Sequence, residues 1–252
     1  MTVKGLLDNY LKRLRMPAMA KAYARLAEEA ASNKADYLDY LCCLLELEVN
    51  NKDENTKKER IAKAKFPVLK SLDTFKFDEI PSLNKKLVLK LFGGKYIEEI
   101  ENVVFVGGQG TGKTHLAIAL GMQACQEGKK VRFFTVADLV HQLKEARDEK
   151  QLMKFQNDLS KIHVLILDEL GRVECNADGA NLLFQVIGGR YERSSTIITS
   201  NLEFSDWSSV FVSQNLTSAV LDRLIHRCHI VEVNGESYRF KESLRRKKNS
   251  KD

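Results

Sequence analysis

Apolar residues in the first 65 positions recur at spacings of three and four, which predicts helices. Leu7, Leu11 and Leu14 would share one face. Pro17 can open a second helix, because a first-turn N–H has no intrahelical partner to lose. That helix would span 18–31, with Met19, Ala22, Tyr23 and Leu26 inward. A third, 37–49, carries Leu38, Leu41, Leu44 and Leu45. From 50 to 65 the chain becomes polar and basic, with Lys52, Lys57, Lys58, Arg60, Lys63 and Lys65 against Asp53, Glu54 and Glu59. Two readings stand side by side there: a solvated helix, or a face turned toward nucleic acid. Phe66-Pro67 and Ile80-Pro81 bracket a connector, since a residue before proline is driven out of the helical region. A helix over 85–92 then ends at Gly93-Gly94.

Beyond position 101 the pattern changes. Continuous apolar runs at 103–106, 131–136, 164–167 and 196–199 alternate with helical segments at 113–127, 137–147, 149–159 and 179–191. Gly128 ends the first of these helices, and Thr135 is placed to cap the second. A shorter apolar strand at 229–233 follows a basic helix around 222–227. Apolar strands separated by helices mean a parallel sheet covered on both faces. Right-handed crossovers then gather the loops after each strand at one edge, where ligands bind in this architecture.

The loop after the first strand carries the candidate chemistry. Gly107-Gly108-Gln109-Gly110-Thr111-Gly112-Lys113-Thr114 is a Walker A pattern between a strand and a helix that opens on His115, the context this motif requires. Glycines let successive N–H groups turn toward phosphate oxygens, and the helix N-terminus adds partial positive charge. Lys113 would reach the β- and γ-phosphates of ATP, and Thr114 would complete a Mg²⁺ shell. Val164 to Leu167 deliver Asp168 and Glu169 to the same edge as a Walker B segment. Asp168 would hold the magnesium shell, and Glu169 would orient and deprotonate a water. Asn201, just past the next strand, would lie between these two motifs and touch the γ-phosphate. Arg223 and Arg227 lie four apart on one helical face and are either solvated or an arginine finger acting across subunits. Arg239 is either a phosphate contact in cis or a solvated residue.

Composition narrows the classes. The 252 residues are 44% hydrophobic, enough for one substantial core and a smaller domain. Five cysteines with no CxxC spacing argue against a disulfide framework or a zinc site. The N-terminus lacks a signal-peptide pattern, and no apolar run approaches the ~18 residues of a membrane span, so a cytoplasmic, membrane-free protein is expected. Net charge is +6. The last twelve residues hold six basic and two acidic side chains, which suits a polyanionic partner without demanding one.

Taken together, these motifs resemble the IstB family of insertion-sequence ATPases, related to DnaC-type helicase loaders in the AAA+ class. The resemblance is carried by 72–83, the Walker A octet, 133–139, Leu165 to Gly171, 179–185, Arg190 to Arg193, Ser195 to Asn201 and Gly235 to Arg239. It implies an α/β AAA+ core with sheet order 5-1-4-3-2 and a small N-terminal all-helical domain. The expected division is 1–66 for a DNA- or partner-binding helical domain, 67–100 for the connector, 101–242 for the ATPase core and 243–252 for a basic tail. It further implies ATP-dependent self-association into a ring or helical oligomer on duplex DNA, with little sequence preference, and help to a cognate transposase in engaging target DNA. Arg223, then Arg227, falls in the finger role, Arg239 and Asn201 in the sensor roles. A helicase loader is the alternative. Two departures stand out. Arg172-Val173-Glu174-Cys175-Asn176 replaces a Tyr-Leu-Pro-Leu-Asp-like stretch, and Gly188-Gly189 precedes Arg190 where a polar or basic pair is usual. These changes are expected to leave the chemistry in place but to weaken a surface near Arg190 that the family could use for DNA or a neighbour.

Overall fold

The computed structural model describes residues 2–172, 176–238, 240, 241 and 243. Its contacts divide the chain into two units, Met1–Glu59 and Arg60–Asp252.

In the first unit, Thr2 caps α1 (Val3–Arg13) through a bond from the Gly5 N–H, 3.3 Å. Pro17 opens α2 (Pro17–Ser32), and α3 (Tyr37–Ala64) is one 28-residue helix that absorbs the polar stretch the sequence set apart, its residues from Arg60 on belonging to the second unit. The core is small: Leu11, Met19 and Leu44. Leu7, Leu14, Leu38, Leu41 and Leu45, apolar positions of the predicted helices, are exposed, because three helices enclose too little volume to bury every apolar position. A feature the periodicity did not reveal is Glu48. This buried carboxylate accepts the Ala18 and Met19 N–H groups at 2.9 and 3.1 Å. It thereby caps α2, whose own Ncap residue, Met16, has no side-chain acceptor.

The second unit begins with the connector, which winds through two 3₁₀ turns, Leu72–Thr74 and Phe77–Glu79, into α4 (Lys85–Phe92) and α5 (Lys95–Glu98). Asn84 caps α4 by accepting the Leu87 N–H at 3.0 Å. The remaining elements are β1 (Asn102–Val106), α6 (Lys113–Gln126), β2 (Val131–Thr135), α7 (Val136–Asp148), α8 (Leu152–Ser160), β3 (Val164–Leu170), α9 (Ala177–Arg190), β4 (Ser195–Ser200), α10 (Ser208–Phe211), α11 (Gln214–Ile225) and β5 (Cys228–Glu232). Thr135 caps α7 as expected, accepting the Asp138 N–H at 3.1 Å. All strand pairs are parallel, in the order β2-β3-β4-β1-β5. This is the 5-1-4-3-2 order of the AAA+ core that the resemblance implied.

Strand alternation sorts the side chains into two layers. Val103, Phe105, Phe133, Ile166, Ile197 and Val231 face α6, α4 and the connector. Val104, Phe134, Leu165, Leu167 and Ile198 face the layer containing α7, α9 and α11. The register slips once: Leu167 pairs with Ile198 but Leu170 with Ser200. Asp168 and Glu169 occupy that bulge, a device that re-aims side chains at a strand end.

Arg190, near which a surface was expected, is itself buried. It is 3% exposed and ends α9 under the sheet. Its guanidinium donates to the carbonyls of Ser195 (2.7 Å), Leu159 (2.8 Å) and Ile162 (3.1 Å) and to Thr196 Oγ1 (3.2 Å). Burial lowers its pKa to about 10, so it stays charged at neutral pH. Sequence could not separate this planar fork from a solvated arginine. R190A would orphan several buried carbonyls and is expected to lower the unfolding free energy by about 3 kcal/mol in urea titrations. R190K, with fewer fixed donors, should recover only part of that loss.

Candidate active site

The loop from Gly107 to Gly112 follows β1, an interior strand between β4 and β5. Gly107, Gly110 and Gly112 have φ of +143°, +75° and +101°. At Gly112 a Cβ would lie 2.8 Å from Phe75 Cε2, so both conformation and space require glycine there. Thr111 closes the loop on itself, donating to the Gly108 carbonyl at 2.9 Å. Lys113 Nζ is folded back onto the carbonyls of Gly107 and Gly108, at 2.7 and 2.6 Å.

His115 serves the scaffold. Its ring lies 2.8 Å from the Ser71 carbonyl and edge-on to Phe75, pinning the connector to α6. Burial holds its pKa below the usual value, against the pull of the Ser71 contact.

Thr114 and Thr199 both donate to Asp168 Oδ1, at 2.8 and 2.5 Å. Asp168 is buried at the end of β3. Burial raises its pKa above the ordinary 3.8, while the two hydroxyls pull it down. Thr199 is a participant the sequence reading missed. The available signal was a hydroxyl residue closing the apolar β4 run, opposite the acidic end of β3. Glu169, at φ +62°, is held by its N–H to Thr199 Oγ1 (3.0 Å) and pairs with Arg172 at 2.5 Å.

Two clefts meet at Lys113 and Thr114. One of about 310 Å³ is lined by Gln109, Lys113, Glu169, Arg172 and Asn201, among others. Asn201 therefore does face the two motifs. The other cleft, about 440 Å³, is lined by Phe75, Ile80, Thr111, His115, Ile118 and Tyr238, among others. Tyr238 donates its backbone N–H to the Gly110 carbonyl at 3.0 Å.

Arg223 and Arg227 are elsewhere. Arg223 stacks over Phe184 at 4.6 Å. Arg227 is exposed and immediately precedes β5, which runs parallel to β1. It therefore lies at the edge opposite the glycine loop, one strand length or ~16 Å away. Arg239 and the tail from 244 to 252 lie outside the described residues, as do 173–175.

These parts fit a nucleotide with magnesium. Three positive-φ glycines form a cradle ahead of a helix N-terminus, with an ammonium, a hydroxyl and a buried carboxylate at its mouth. Residues 9–246 match the model of the IstB-like ATP-binding proteins. The chain belongs to the IstB family. Within it, the chain is 38% identical over 250 residues to the ATP-binding protein of insertion sequence IS5376 from Geobacillus stearothermophilus, covering 99% of this chain and all of that one. It is 39% identical over 236 residues to the ATP-binding protein of IS21 from Pseudomonas aeruginosa, covering 94% and 89% of the two chains.

Among solved structures, the DnaC helicase loader superposes with a TM-score of 0.51 at 28% identity, over 59% of this chain and 86% of that one. AMPPCP-bound DnaA from Aquifex aeolicus shares the fold, with a TM-score of 0.56 at 22% identity over 70% and 54%. No helix among the described residues is long and apolar enough to cross a membrane.

An IstB-family site of this kind has a consequence for stability. A carboxylate whose folded pKa exceeds its unfolded value costs stability while ionised. The cost is full above the folded pKa, fades as pH falls through it and is gone below the unfolded value. D168N is therefore expected to raise the melting temperature of the nucleotide-free protein at pH 7. The gain over wild type should close as pH falls toward 3.8, and a variant melting below wild type at pH 7 would contradict the assignment.

Proposed function

We propose that this chain is an ATPase that regulates transposition. It would assemble on duplex DNA in its ATP state, help a partner transposase engage target DNA, and reset by hydrolysis. The observation that carries this reading is the convergence of Thr114, Asp168 and Thr199 beside the glycine loop, with Glu169 one residue on, in a chain matching the IstB model over residues 9–246.

In the proposed chemistry, Lys113 leaves the Gly107 and Gly108 carbonyls for the β- and γ-phosphates, a stronger charge-assisted contact. The N–H groups of Gly108 to Thr114 cradle the phosphates, and Thr114 and Asp168 hold Mg²⁺. The metal would supply charge neutralisation as the terminal phosphate departs. Glu169 orients a water and takes its proton, while Asn201 positions that water against the γ-phosphate. Arg223, or failing it Arg227, would meet the developing charge from a neighbouring subunit, and Arg239 would act in cis. The 1–66 helices are proposed to contact DNA or a partner, with phosphate contacts dominating and sequence preference low. A second reading, a replicative helicase loader, is supported by the likeness to the DnaC loader. Pull-down distinguishes them, since a transposition regulator retains its transposase and a loader retains a hexameric helicase.

K113A is expected to abolish ATP uptake in calorimetry. E169Q should keep uptake while turnover falls by about 10²- to 10⁴-fold, and it should stay longer on duplex DNA in filter binding. Wild-type DNA retention with ATP should weaken steeply with salt. Salt-insensitive or absent retention would overturn the DNA assignment.

A further inference from the structure

Among the described residues, Arg172 is a strongly basic side chain beside the acidic pair whose role the proposed chemistry does not use. It lines the same cleft as Lys113, Thr114 and Asn201, and its Nη1 sits 2.5 Å from Glu169 Oε1. The turn that joins the two residues is held from several directions. The Arg172 N–H donates to the Glu169 carbonyl at 3.2 Å, and the Glu169 N–H is fixed on Thr199 Oγ1. Gly171, at φ +97°, packs so closely on Leu202 that a Cβ would have to displace that side chain. Glu169 itself adopts φ +62°, a costly conformation for a residue with a Cβ. The backbone thus brings this guanidinium to this carboxylate, at a position where the chain departs from the pattern its motifs otherwise follow.

A carboxylate oxygen engaged by a guanidinium has a lone pair occupied by that donor, and the carboxylate's orientation is set by the cation. Resting on the reading of Glu169 as the base, we propose that Arg172 is a positioning residue. It holds the Glu169 carboxylate off the attacking water and so restrains turnover. The restraint is modest, because the two side chains are 68% and 37% exposed and exposed pairs are weak.

Steady-state ATP turnover by the full chain without DNA tests this. R172Q is expected to raise kcat about two- to fivefold, the range an exposed pair can supply, with KM for ATP essentially unchanged. R172K, which keeps a point charge but not the fork, should fall between wild type and R172Q. The gain must run through the carboxylate, so R172Q/E169Q should turn over no faster than E169Q. An R172Q variant with unchanged or lower kcat overturns the proposal, as does a raised KM, which would make Arg172 a phosphate contact. A gain that survives in the E169Q background also overturns it. If instead E169Q itself turned over like wild type, the assignment of Glu169 as base would be what failed.

Discussion

Two threonine hydroxyls meet on a single carboxylate oxygen, Asp168 Oδ1, and the candidate site depends on that meeting. One hydroxyl comes from the first turn of α6, the other from the end of β4, and the carboxylate ends β3. Three elements that are distant in sequence are thereby fixed to one another at the sheet edge. Hydrogen bonds to an ionised acceptor are the strong ones. They are needed here, because the carboxylate is buried and its desolvation raises the energy of the charged form. Thr199 spends the same oxygen twice. It donates to Asp168 and accepts the Glu169 N–H, and so holds the bulge that turns Glu169 away from the regular pleat.

The charged groups around this junction have protein partners in the ligand-free chain. Lys113 rests on two loop carbonyls, and Glu169 rests on Arg172. The partners are not equivalent. Neutral carbonyls are weaker acceptors for an ammonium than a phosphate is, so the lysine is poised to exchange them. The Glu169–Arg172 contact is already charge-assisted. In the proposed chemistry, uptake would rest with the loop and turnover with the carboxylate's freedom.

Much of this was legible in the residues. The strand–glycine loop–helix context marks Lys113 and Thr114, and the apolar run ending in two acids marks Asp168 and Glu169, because each motif has a local pattern. Four of the five strands were read to within one residue at each end, since buried parallel strands are continuously apolar; β3 runs three residues past the apolar run, through the two acids to Leu170. What escaped were contacts made across the fold. Glu48 caps a helix 30 positions away, Thr199 meets Asp168 across 31, and Arg190 binds carbonyls of three segments. A threonine, a glutamate or an arginine looks the same in sequence whether solvated or committed. In the first unit the periodicity found the helices but overstated the core, because a three- and four-residue spacing names a face without saying what covers it.

The sheet also constrains where a catalytic arginine can come from. In a wholly parallel sheet every strand points the same way, so residues that precede a strand lie at the edge opposite the loops that follow one. Arg227 stands immediately before β5, and β5 pairs with β1 from Asn102–Cys228 to Val106–Glu232. The glycine loop starts one residue after Val106. No side-chain rotation carries Arg227 across that strand length to its own phosphates. Arg223, a turn earlier, is engaged with Phe184 of α9 on the same layer. If either arginine meets a phosphate, it meets one held by another copy of the chain. A finger role for either would then require assembly, by strand direction alone and independently of any likeness to other proteins.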